Sequence, residues 1–480
     1  MKKKRCILFL LLLLLTTFPW GGGASVEFDT MYADKADGRS ELPIPKAYVV
    51  SQVISVFGAD ADIFNEPTDV CVAPSGRIFV ADTGNHRIVE LDAQYRFVAA
   101  YDNAQGGGFK SPESVFVDAD GGIFVADTGN ERVVKLAKDG TFVEAFEKPD
   151  SALLTDSFTF NPRKIAVSDV GYLYAIKFQN LMQIDAFNRF RGFIGTNMVK
   201  FDLWRQIRIL FSNAEQRKVM QRQQPYSVYS FAFSPDGAIY ITTPDEEGQL
   251  KKINTVGKNI YPKQDFFGFN VRVRDGMAST YVAPQYIDLA VDKAEMVYML
   301  EGLGGTISVY DSFGNNLANF SGRDPGDVGT PRLVALDVTA SRDIIIVDRG
   351  ASCLRILTPT RFMNGVFDAV TLYGQGRYVE AEKDWENILE NHESHYLANQ
   401  GMAKAKLKQG EWQEAMVYYE RCDDVDGYSQ AFDKYRLALF REHFGLVVAA
   451  IGLLGGVIGL VLFGAGRFIH HTMKKYDHLV

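Results

Sequence analysis

The sequence predicts a mainly β protein: a six-bladed β-propeller, a short all-α helical stack, and one transmembrane helix. Three observations predict it. Strand-rich units separated by turns recur across residues 48–358, and a helical unit repeats at a 34-residue offset within 360–442. Residues 444–466 then run for 23 positions without a charge. The chain's 480 residues are 47% hydrophobic and 23% charged, so most of it can bury a core. With 51 Lys+Arg against 59 Asp+Glu the net charge is −8, which argues against nucleic acid as a partner. Four cysteines cannot staple a chain of this length.

Taken from the N-terminus, Lys2, Lys3, Lys4 and Arg5 precede an apolar run from Cys6 to Leu15, and Gly22-Gly23-Ala24 follows. This is the layout of a signal peptide over 1–24 with cleavage after Ala24. The run is too short for a hydrocarbon core of ~30 Å. Removal of Cys6 leaves Cys71, Cys353 and Cys422, an odd number, so at least one thiol stays unpaired or pairs with another molecule. Buried thiols are the expected state of Cys71 and Cys353, with a bridge as the other reading.

The repeats come next. Pro67-Thr68-Asp69-Val70-Cys71-Val72 is echoed 45 residues later by Pro112-Glu113-Ser114-Val115-Phe116-Val117. Ile78-Phe79-Val80-Ala81-Asp82-Thr83-Gly84-Asn85-His86-Arg87 is echoed at the same offset by Ile123-Phe124-Val125-Ala126-Asp127-Thr128-Gly129-Asn130-Glu131-Arg132. Weaker copies begin at Pro162, Pro225, Pro284 and Pro331. Six starts with four short strands each make six blades. The two best copies closely resemble the NHL repeat, and the other four resemble it in outline. The β-rich stretch Tyr48–Phe57 precedes the first unit, and the sixth ends near Leu357 without an outer strand. The early stretch is therefore expected to complete the last blade and leave no open edge.

After the propeller, Gly376-Arg377-Tyr378-Val379-Glu380-Ala381 and Gly410-Glu411-Trp412-Gln413-Glu414-Ala415 stand 34 residues apart, each followed at one offset by Trp385 or Tyr419. This order of Gly, aromatic, Ala and aromatic resembles the tetratricopeptide repeat, although Lys406 stands at a usual aromatic site. A following helix, about Gly427 to Glu442, would close a minimal stack over 360–442. The uncharged run 444–466 is roughly 34 Å long as a helix, enough to span a bilayer. Arg467, Lys474 and Lys475 lie in the tail 467–480. With a cleaved signal, the body is extracytoplasmic and the tail cytoplasmic, a single-pass arrangement at the cell membrane. Gly452, Gly455, Gly456 and Gly459 also fit helix pairing, and hence self-association, within the span.

Aligning the blades on Gly76, Gly121, Gly171 and Gly237 makes Asp82, Asp127, Lys177 and Thr243 equivalent, and Glu301 and Asp348 follow from the last two apolar strands. These six form a candidate ligand-binding ring at the propeller mouth. The competing reading has Asp82 and Asp127 tie loops by accepting backbone N–H groups and pairing with Arg87 and Arg132. Blades five and six lack that arginine, and Cys353 stands where it would be.

Two enlarged connections, Arg191–Gln224 and Val256–Val282, are expected to overhang the same face. The first carries Leu203, Ile207, Leu210 and Ala214 at helical spacing, with seven Lys/Arg and two Asp/Glu. That makes Trp204, Arg205, Arg208, Arg217 and Lys218 candidate partner-binding residues toward an acidic protein or an anionic membrane. The other reading is a packed helix with a solvated basic face.

Enzymatic signatures are thin. Residues 25–360 hold one histidine, His86, which disfavours a His-rich zinc site but leaves room for Ca2+ or another divalent cation on carboxylates alone. His392 and His395 form a lone pair expected at the surface. No catalytic residue can be named and no cofactor is required. The sequence therefore favours a membrane-anchored recognition or scaffold protein that binds protein partners, such as envelope or transporter components. A lactonase- or lyase-like propeller enzyme using carboxylates and a divalent cation is the alternative.

Overall fold

The computed structural model describes residues 29–476 except 36–37, 59–61, 105–106, 152–153, 155–157, 195–226, 246–247, 256, 263–270, 276–277 and 324–330. The expected signal peptide therefore lies outside the described residues, as do Trp204, Arg205, Arg208, Arg217 and Lys218. Six antiparallel sheets make the propeller. Blade 1 comprises Asp69–Val72, Ile78–Asp82, Arg87–Leu91 and Phe97–Tyr101. Blade 2 comprises Ser114–Val117, Ile123–Asp127, Arg132–Leu136 and Phe142–Phe146. Blade 3 comprises Lys164–Val167, Leu173–Lys177, Asn180–Ile184 and Phe190–Phe193. In blade 4 the described strands are Ser230–Phe233, Ile239–Thr242 and Leu250–Ile253.

Blade 5, with Tyr286–Val291, Val297–Glu301, Thr306–Tyr310 and Asn316–Ser321, is widened by Asp29–Lys35 and then Gly38–Ile44. That N-terminal hairpin was not foreseen. It begins five residues after the expected cleavage position. Blade 6 joins Leu333–Val338, Ile344–Asp348 and Cys353–Pro359 to Tyr48–Ile54, with Tyr48 opposite Pro359. The ring thus closes as the sequence implied: an early strand supplies the outer edge that the sixth unit lacks.

The physical basis is two-sided burial. In each blade the second strand is apolar up to its last residue, and Ile78–Asp82 and Ile344–Asp348 are buried at every position. Such a strand is covered on both faces by neighbouring blades, so it reads as a continuous hydrophobic run rather than an alternation. Ile78, Val80, Val89 and Leu91 of blade 1 pack on Ile345, Val347, Leu354 and Ile356 of blade 6, which seals the closing joint. Cys71, Cys353 and Cys422 are buried thiols that are not joined in disulfides.

Arg191 belongs to the outer strand of blade 3, so the long connection starts later than the sequence suggested. In the second connection, Val271–Asp275 and Ala278–Val282 form a two-stranded hairpin.

Six helices follow: α1 (Arg361–Gly374), α2 (Tyr378–Asn391), α3 (Tyr396–Gln409), α4 (Trp412–Arg421), α5 (Val425–Glu442) and α6 (Phe444–Tyr476). Trp385 and Tyr419 are buried, and each lies over a glycine of the next helix. A Cβ at Gly401 would come 2.3 Å from the Trp385 indole nitrogen, and one at Gly427 would come 2.3 Å from the Tyr419 ring. Lys406, at the position expected to be aromatic, instead pairs with Glu382 and Glu411, each at 2.8 Å. His395 is buried and caps α3, its Nδ1 accepting the Ala398 N–H, which corrects the expected surface position. Burial pushes the His395 pKa down to about 3. Helix α6 is long and apolar enough to cross a membrane.

Candidate functional site: the propeller mouth and channel

In blades 1 and 2 the repeated Asp-Thr-Gly-Asn loop joins the second and third strands. Asp82 accepts the Asn65 N–H at 2.7 Å, the Asn85 side chain at 2.9 Å and the Arg87 guanidinium at 2.8 Å. Asp127 does the same with Lys110, Asn130 and Arg132. The neighbouring threonines reach the next blade, Thr83 donating to the Pro112 carbonyl at 2.7 Å and Thr128 to that of Pro162 at 2.6 Å. The glycines are required by close approach, since a Cβ on Gly84 would lie 2.6 Å from the Asn65 carbonyl oxygen. The motif is therefore a joint: Asp holds the incoming loop, Thr ties the following blade, and Asn closes the turn.

The other equivalents are also committed to the fold. Asp348 is fully buried and pairs with Arg355 at 2.8 Å. Blade 6 does have its arginine, two residues beyond Cys353 on the same strand face. Glu301 accepts the N–H groups of Leu303 and Gly304. Lys177 lies 3.6 Å from the centroid of the Phe158 ring, and burial lowers its pKa. Thr243 is bonded to Asp245 and Lys251. None of the six expected ligand-binding residues lines the mouth cavity. The physical reason is position: they end buried second strands, whereas the inner strands face the channel.

Those inner strands hold the groups that sequence reasoning missed. Asp69, Ser114, Lys164, Ser230, Asp288 and Ala335 are equivalent, each opposite the residue just before the loop position. Lys164 reaches Asp69 at 2.8 Å and Asp288 at 3.2 Å. Asp69 accepts from Ser114 at 2.5 Å, and Asp288 accepts from Ser230 at 2.5 Å and from the Leu336 N–H at 2.9 Å. Two residues beyond the belt position in blade 6, Asp337 accepts the Val72 N–H of blade 1 at 2.6 Å. The belt thus runs around the channel, and Lys164 borders a cavity on either side of it. Burial opposes the Lys164 charge, but Asp288 and Asp69 outweigh it and raise its pKa. For Asp69 burial wins over Lys164, so its pKa rises. A signal for the belt was present: a polar residue occupies the same repeat position in five of the six apolar inner strands.

Above this belt the mouth is a cavity of about 710 Å³. Glu113 pairs with Arg163 at 3.2 Å and Glu66 with Arg349 at 2.5 Å along its lining. Arg332 is exposed and makes no ion pair among the described residues. Phe178 and Leu303, 72% and 42% exposed, stand at the same opening. His86 Nδ1 accepts the Ser111 N–H at 3.0 Å. Among the described residues no group of three or more His, Cys, Asp or Glu is placed to hold a metal ion.

Residues 64–91 match the NHL repeat. No curated protein matches the chain. Among solved structures, a streptogramin B lyase is 11% identical over 66% of this chain and all of its own, with a TM-score of 0.42. A virginiamycin B lyase from Staphylococcus aureus is 12% identical over 65% of this chain and 88% of its own, with a TM-score of 0.40. A gluconolactonase from Xanthomonas campestris is 11% identical over 70% of this chain and 99% of its own, with a TM-score of 0.39. Scores this low carry no assignment of chemistry to this chain.

Proposed function

We propose that this chain is a membrane-anchored recognition subunit whose propeller mouth docks a protein partner of the cell envelope, such as a transporter component. One observation carries the reading. The carboxylates expected at the mouth are held by loops and by the channel belt, while the mouth offers exposed Phe178 and Leu303 beside charged groups. Apolar anchors inside a polar surround are the composition of a protein-docking surface. The 34-residue helical period, with Trp385 and Tyr419 buried at matching places, supports a tetratricopeptide-like second docking surface. The apolar helix Phe444–Met473, 30 residues with none of its most apolar stretch buried, supports the anchor. The basic N-terminal region followed by an apolar run supports export of the body.

The test is copurification of the full chain from detergent extracts after cross-linking, with Phe178→Ser and Arg332→Glu combined. Both side chains are exposed, so melting should shift little. The partner should be lost from the variant and kept by the wild type. An unchanged set of cross-linked proteins would refute docking at the mouth. Protease added to spheroplasts should remove the propeller and spare a tag placed after Val480; cleavage of the tag would refute the topology.

A further inference from the structure

The channel has a second chamber below the belt, unrelated to the docking reading. Two residues along each inner strand from the belt, Cys71, Phe116, Ala166, Ala232, Ala290 and Asp337 occupy equivalent positions and line a cavity of about 540 Å³. Three alanines in that ring leave the space unfilled. Asp337 is the ring's one charged group. It accepts the N–H groups of Val72 at 2.6 Å and Val338 at 2.8 Å, and no cationic side chain is within ion-pair distance among the described residues.

Electrostatics give the chamber a sign. Asp69, Asp288 and Asp337 share the single ammonium of Lys164, whose ion pairs go to the first two. At the opening, Glu144 pairs with Lys135 at 3.6 Å, while Asp118, Asp120 and Asp169 have no basic partner within ion-pair distance. The mouth on the other face balances its charges; this chamber does not. An acidic funnel leading to a half-buried carboxylate with no cationic partner in ion-pair distance among the described residues concentrates cations. Burial, against the pull of the two backbone N–H groups and Lys164, pushes the Asp337 pKa up to about 7, and a cation bound there would relieve that cost.

We propose that this chamber binds a small organic cation, a protonated amine with an apolar body, whose ammonium pairs with Asp337. The body would occupy the space over Ala166, Ala232 and Ala290, and Phe116 adds a partly exposed aromatic surface of the kind that favours cations. Among the described residues no group of three or more His, Cys, Asp or Glu is placed to hold a metal ion at Asp337, so the apolar wall favours an organic ion over a bare divalent one.

The probe is benzylammonium, titrated by calorimetry into the full chain in detergent and phosphate buffer at neutral pH, with benzyl alcohol as its neutral counterpart. One site should appear, with the alcohol binding at least about tenfold more weakly. Asp337→Asn should weaken the amine by about tenfold or more, and Ala232→Leu should abolish binding by filling the chamber. Asp139→Asn, on an exposed turn that lines neither cavity, should change affinity by less than about twofold. Should Asp337→Asn fail to fold, the amine–alcohol comparison and Ala232→Leu still decide. Equal binding of amine and alcohol, unchanged affinity in Asp337→Asn, or no binding to the wild type would each overturn the proposal.

Discussion

Replacing Asp337 with Asn tests the electrostatics of the channel through stability alone. The amide has the shape of the protonated acid and keeps one oxygen for the Val72 N–H; its nitrogen cannot accept the Val338 N–H that the second carboxylate oxygen takes, a loss that is the same at every pH and leaves only the charge to vary. The Asp337 pKa rises from 3.8 to about 7, and at 1.36 kcal/mol per unit this corresponds to about 4 kcal/mol. The sign follows from proton linkage. At low pH both folded and unfolded wild type carry the proton, and no penalty exists. As pH climbs past about 4 the unfolded chain releases its proton while the folded chain holds on, so the wild type loses stability up to about pH 7. The variant has no such group. Its stability relative to wild type should therefore improve by up to about 4 kcal/mol between pH 4 and pH 7 and then level off. The assay is denaturant unfolding of both full chains in detergent, following the propeller transition, in phosphate because an amine buffer is itself a candidate ligand. Parallel profiles, with a difference that stays within about 1 kcal/mol across the range, would refute the claim that Asp337 ionises against burial.

Two further predictions probe the joints between blades. Gly84→Ala puts a methyl 2.6 Å from the Asn65 carbonyl oxygen and should destabilise the propeller by about 1–3 kcal/mol in the same unfolding assay; a neutral result would mean that the loop yields. Arg355→Leu strands the fully buried Asp348 carboxylate and should cost about 3–5 kcal/mol, with part of the loss recovered by adding Asp348→Asn. A loss below about 1 kcal/mol would show that water reaches Asp348.

How much was legible depended on the range of the interaction involved. The four-strand unit, its turns and the Asp82–Arg87 and Asp127–Arg132 pairs are written within a few residues, and the 45-residue echo makes them visible. The same locality explains the misplaced site. Asp82, Asp127, Glu301 and Asp348 stand out because they interrupt apolar runs, but a strand-end acid looks the same whether it faces a ligand or holds a loop. Arg355 escaped notice because its pairing with Asp348 skips Cys353, a matter of strand alternation rather than spacing.

By itself the sequence determined the blade repeat, the borrowed closing strand, the helical segment and the apolar terminal helix, because periodicity and hydrophobic runs are properties of consecutive residues. Only the tertiary structure decided which polar groups meet. Lys164 joins Asp69 and Asp288 across separations of 95 and 124 residues. Asp337 bonds Val72 across 265. Such contacts exist because six sheets close into a ring that brings their inner strands around one axis, and no local pattern specifies the angle at which a ring closes.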